Sequence, residues 1–80
     1  MSVSQLAKVL KVLHIPSFFY DIDIVRKGMA DDCICLRKKD DTWIVFNSDR
    51  GEKFNIMQYK FESDACIEAL RRILLVYRYR

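Results

Sequence analysis

Residues 43–74 read WIVFNSDRGEKFNIMQYKFESDACIEALRRIL, and this stretch decides the fold: strand, tight turn, strand, helix. Trp43 to Phe46 is dense in β-forming side chains. Asp49-Arg50-Gly51-Glu52 supplies the turn, with Gly51 where a positive φ is needed. From Lys53 to Phe61 the pattern alternates, which predicts a strand with Phe54 and Ile56 on one face. Asn55, Met57, Tyr59 and Phe61 fall on the other. Ser63 is the expected N-cap of the helix that follows, with Asp64 in its first turn, where the dipole favours an anion.

Working outward, the helix runs from Asp64 to about Tyr77. Cys66, Ile67, Ala69, Leu70, Ile73, Leu74, Val76 and Tyr77 share one broad face, and Glu68, Arg71, Arg72 and Arg78 the other. Leu75 and Tyr79 fall among the arginines and are a candidate contact for a weak homodimer. Upstream, Thr42 to Asn47 and Cys33 to Lys38 predict two strands joined by a short loop, Lys39-Asp40-Asp41. Phe18 to Val25 predicts another strand, with Tyr20, Ile22 and Ile24 opposite Phe19, Asp21, Asp23 and Val25. Arg26 to Asp32 connects the two. At the N-terminus, Ser2 and Gln5 have capping-box spacing, and Val3, Leu6, Ala7, Val9, Leu10 and Leu13 fall on one helical arc. Ile15-Pro16 ends that helix, because a residue before proline is pushed out of the α region.

The expected fold is therefore α+β: a two-layer sandwich with a four-stranded antiparallel meander flanked by N- and C-terminal helices, a single domain over residues 1–80. Short loops make neighbouring strands antiparallel. A meander then puts the connection at Arg26–Asp32 beside the turn at Ser48–Glu52, with Lys39–Asp41 at the far end.

Composition bounds the function. The chain has 80 residues, 51% of them hydrophobic and 31% charged, which is globular and not disordered. A chain of this size buries only about 60% of its unfolded surface, so the core is thin. The net charge of +3 is mild, and the charges are interspersed. A committed nucleic-acid binder shows a stronger, clustered basic signal. The helix start, Glu62-Ser63-Asp64-Ala65, is acidic where a double-stranded RNA-binding domain needs lysines.

Cys33, Cys35 and Cys66 make an odd number and no disulfide framework, so they are expected as reduced packing residues in the cytoplasm. They supply no zinc ligand set, and no cofactor is expected. No apolar run reaches the ~20 residues of a membrane span, and no secretory signal is expected. His14, the only histidine, sits at a helix end with no partner for acid–base work. Asp21 and Asp23 share a strand face, while Asp31/Asp32 and Asp40/Asp41 fall in turns, where aspartate serves the backbone. No nucleophile–base pair, phosphate loop or CxxC motif is present, so enzymatic activity is not expected.

The stretch from Trp43 to Cys66 resembles the small immunity proteins of bacterial polymorphic-toxin systems, contact-dependent growth inhibition among them. The residues that carry the likeness are Trp43, Asp49, Arg50, Gly51, Asn55, Phe61, Glu62, Ser63, Asp64, Ala65 and Cys66. Upstream, His14-Ile15-Pro16, Tyr20 and the Cys33–Leu36 strand also fit. Two positions depart from the pattern: Asp49 stands where glutamate is usual, and the glycine expected soon after Tyr20 is missing or displaced to Gly28. The resemblance implies a cytoplasmic antitoxin without enzymatic activity. It would bind a cognate toxin domain, a nuclease with a basic cleft, and block its active site or substrate path. The acids that the meander brings together, Asp31, Asp32, Asp49 and Glu52, with Arg50, are the candidate partner surface. The alternative is a small RNA-binding or regulatory domain.

Overall fold

The computed structural model describes residues 1–22 and 33–78. Its elements are α1 (Val3–Val12), a 3₁₀ turn (Ser17–Phe19), β1 (Tyr20–Ile22), β2 (Cys33–Lys39), β3 (Thr42–Asp49), β4 (Glu52–Tyr59) and α2 (Glu62–Arg78). The four strands form one sheet in sequence order. Both helices pack on one face of it. Leu6 and Leu10 of α1 and Ala65, Cys66, Ala69 and Ile73 of α2 join Ile22, Ile34, Leu36 and Val45 in a single core. The opposite face carries a smaller cluster, Cys33, Cys35 and Phe46, with Ile44 against it.

Local chemistry explains α1. The Ser2 side chain accepts from the Gln5 N–H and the Gln5 side chain accepts from the Ser2 N–H, so the capping box forms as expected. At the other end His14 takes a left-handed φ of 59°. The His14 N–H donates to the Lys11 carbonyl and the Ile15 N–H to the Leu10 carbonyl, the paired bonds of a Schellman motif. Ile15 and Leu10 are both buried in the core, which supplies the hydrophobic contact that accompanies the motif. Leu13, placed by the helical arc on the apolar side, is the C-cap and is exposed.

The antiparallel meander is only partly present. β2–β3 and β3–β4 are antiparallel hairpin pairs, but β1 and β2 run parallel, with Asp21 opposite Cys35. The sheet is mixed. Antiparallel pairing follows from loops of about two to five residues. The connection expected at Arg26–Asp32 is seven residues, already longer than that rule covers. The first strand opens at Tyr20 and not at Phe18. Ser17–Phe19 forms a 3₁₀ turn, which buries Phe19 in the core with Ile22 in place of the strict alternation expected. The Arg26–Asp32 connection, and with it Asp23, Ile24 and Val25, lies outside the described residues.

β4 departs from simple alternation. Val45 pairs with Met57 but Asn47 pairs with Phe54, so Asn55 and Ile56 together oppose Phe46. This is a β-bulge, and Asn55 absorbs it with a φ of 51°. Asparagine tolerates that region better than most side chains. The extra residue moves Phe54 to the helix-facing side with Met57 and Tyr59, while Ile56 stays on the open face. The alternating reading had put Phe54 and Ile56 together.

α2 begins at Glu62, two residues before the expected start, so Ser63 is inside its first turn and not the N-cap. Glu62 Oε2 accepts the Val3 N–H at 2.8 Å, which ties the start of α2 to the start of α1. The buried stripe of α2 is Ala65, Cys66, Ala69, Arg72 and Ile73. Arg72 is thus buried, contrary to its assignment to a polar face, and Ile67, Leu74 and Tyr77 are exposed.

The strained His14 gives a test. Replacing it with glycine (His14→Gly) removes the left-handed penalty and is expected to stabilise the protein by about 1 kcal/mol in urea unfolding. Unchanged or lower stability would contradict the Schellman assignment.

Candidate protein-interaction surface

The β3–β4 hairpin presents the described part of the nominated surface. Arg50 and Gly51 both have positive φ, 53° and 82°, the signature of a type I′ turn. The right-handed strand twist favours that turn, and Gly51 adopts it without strain. A Cβ at Gly51 would meet nothing within 4 Å, so backbone conformation alone selects glycine there. Asp49 and Glu52 face each other across the last rung, and Arg50 and Glu52 are exposed at the tip. The hairpin therefore brings Asp49, Arg50 and Glu52 together. Asp31 and Asp32 lie outside the described residues, and the antiparallel β1–β2 pairing that would bring them to this turn is replaced by a parallel one.

β4 is an edge strand, and all its residues except Tyr59 are exposed. Phe54, Ile56 and Met57 are about half exposed. Phe61 just beyond the strand and Leu75 on α2 are exposed as well. A cleft of about 420 Å³ separates β4 from α2 and is lined by Asn55, Met57, Arg71 and Leu75 among others. Leu75 is thus available for contact, whereas Tyr79 lies outside the described residues.

Two arginine systems position the sheet beneath this surface. Arg72 donates Nε to Glu68 Oε2 at 2.7 Å and Nη1 to Asn47 Oδ1 at 3.0 Å, clamping α2 to β3. Arg71 holds the same carboxylate through Nε and Nη2 at 2.9 and 2.6 Å. The hydrogen bonds from Arg71, and then those from Arg72, hold the Glu68 carboxyl down at about 2, against the opposing effect of burial. On the open face, Arg37 donates Nη2 to Asp21 Oδ2 at 2.7 Å and Nη1 to the Asp21 carbonyl at 2.8 Å. This crosses the parallel β1–β2 pair. Asp21 is buried, and its Oδ1 has no hydrogen-bond partner among the described residues.

Cys33 and Cys35 stand with sulfurs 3.6 Å apart beside that pair. Burial, and then the neighbouring Cys33, push the Cys35 thiol up to about 12. It stays protonated at neutral pH and is a poor nucleophile. All three cysteines are buried. Among the described residues no three His, Cys, Asp or Glu side chains are grouped to hold a metal ion, and no helix is long and apolar enough to cross a membrane.

Sequence reasoning missed the open sheet face. Arg37 and Lys39 of β2 and Lys53 of β4 share that face with Ile44, Phe46 and Ile56, but only the observed register and the bulge bring them together. The chain matches no family model, no curated protein and no solved structure.

Glu68 sets a pH dependence. Its carboxyl titrates at the ordinary 4.5 in the unfolded chain and at about 2 in the fold, so the unfolded state takes up the proton first as pH falls. Its contribution to stability is complete above about pH 4.5 and is lost as pH falls towards 2. Glu68→Gln is expected to flatten the stability profile in that window and to cost about 1–3 kcal/mol at neutral pH, because Arg72 loses a charged partner. Denaturant unfolding at a series of pH values reads both effects, and an unchanged acid slope would contradict the assignment.

Proposed function

We propose that this chain is an immunity protein that binds and neutralises a cognate toxin domain, with the β3–β4 hairpin as its contact surface. The observation that carries the proposal is β4, an edge strand exposed along its length with three large apolar side chains, next to a charged hairpin tip. Contiguous exposed apolar side chains rimmed by polar residues mark protein-binding sites. The likeness of residues 43–66 to polymorphic-toxin immunity proteins supplies the class of partner.

In this reading Phe54 and Met57 provide the apolar contact, and Asp49, Arg50 and Glu52 provide register and selectivity through charge. The protein acts in the cytoplasm of the cell that makes it. Inhibition comes from occupying the toxin's active site or substrate path, and the toxin is a nuclease of a contact-dependent inhibition system.

The test is to express the C-terminal domain encoded by the adjacent upstream reading frame, with and without this protein. The expected result is toxicity relieved by co-expression and co-purification that survives high salt. Charge reversal at Asp49 and Glu52 with Arg50→Ala is expected to weaken the complex by about tenfold or more, the effect of losing well-placed interfacial charges. A neighbour that is harmless or does not bind overturns the proposal. Affinity for RNA that falls steeply with salt would instead favour the nucleic-acid alternative.

A further inference from the structure

The face of the sheet opposite the helices holds a depression of about 690 Å³ bounded by β2, β3 and β4. Among the described residues the charged side chains that line it from this face are all of one sign: Arg37, Lys39 and Lys53. Arg37 is neutralised by Asp21. Among the described residues Lys39 and Lys53 have no carboxylate partner, and both are exposed. The floor between them is apolar, with Ile44 half-buried and Ile56 exposed.

The cations stand at both ends of this floor. Lys39 pairs with Thr42 at one end of β3, and Lys53 pairs with Ser48 near the other. Six residues of extended chain put those rungs about 20 Å apart. One small anion does not span that distance, whereas an extended segment of about six residues does. Phe46 is the aromatic residue of the floor, and it is unavailable for stacking: it is 7% exposed, and Lys53 Nζ lies over its ring at 4.9 Å. Single-stranded nucleic acid relies on exposed aromatic faces for its bases. The apolar floor suits aliphatic side chains instead.

We propose that this face binds an extended acidic polypeptide segment, with carboxylates on Lys39 and Lys53 and an aliphatic side chain over Ile44 and Ile56. Lys38 alternates to the helix-facing side, where its Nζ lies 5.6 Å from the Trp43 ring centroid, and is not part of the site. The proposal stands on the charge and shape of this face and not on the immunity reading, and its probe is a peptide, so either can fail alone. A nuclease with a basic cleft would not fill this site. It calls for an acidic segment on the same partner or on a different protein.

The experiment titrates the full chain against a fluorescein-labelled, glutamate-rich peptide carrying two leucines, and separately against labelled oligouridylate, by fluorescence anisotropy at low and high salt. The expected result is saturable peptide binding that Lys39→Glu with Lys53→Glu weakens by about tenfold or more. Ile56→Gln is expected to weaken it by about threefold or more, as the aliphatic contact is lost. Lys39→Glu alone, far from Phe46, gives an intermediate loss and guards against a folding defect, which circular dichroism checks. No peptide binding, or equal binding by the charge-reversed chain, overturns the proposal. Tighter binding of oligouridylate, displacing the peptide, also overturns it and gives the face to nucleic acid.

Discussion

The structure depends on the close approach of α2 to β2 and β3. Ala65, Cys66 and Ala69 are fully buried, and beneath them lie Leu36 and Val45, a cross-strand pair that is itself fully buried. Small side chains on the helix bring its backbone near the sheet, and the larger Ile73 fills the space further along. α1 adds Leu6 and Leu10 to the same cluster. The other side is left with Cys33, Cys35 and Phe46 as its only buried apolar cluster among the described residues, and its rim is open to a partner.

Charge is used within the fold as a clamp. Arg72 ties α2 to β3 through Asn47 and is neutralised by Glu68, one helical turn earlier. Arg37 ties β2 to β1 through both the carboxylate and the carbonyl of Asp21. A buried pair of this kind adds little net stability, but losing one partner strands the other. Both clamps fix register. The first sets how α2 lies on the sheet, and the second holds the parallel strand Tyr20–Ile22 against β2.

What was legible in the sequence was local. The Ser2–Gln5 capping box and the Gly51 turn are each made within about four residues, so their chemistry can be read directly. The parallel β1–β2 pair was not legible, because strand direction at a long connection is decided by tertiary contacts. Neither was the bulge: Asn55 tolerates its conformation but does not demand it, and alternation assumes one residue per rung. Arg72 was assigned to solvent on charge alone, although Glu68 at i−4 and Asn47 on the facing strand were the partners that let it be buried. For the surface, the turn placed Asp49, Arg50 and Glu52 together, whereas the cationic face needed the register of three strands.

Both functional proposals use the β3–β4 sheet and leave the outer surface of the helices out of the contact. Amide hydrogen exchange compares the chain alone with the chain bound to the C-terminal domain encoded upstream, and tests that placement directly. Gained protection along β4 and the Asp49–Glu52 turn, with α1 and the outer face of α2 unchanged, is the result this account predicts. Protection gained on α1 or α2 with β3 and β4 unchanged would contradict it.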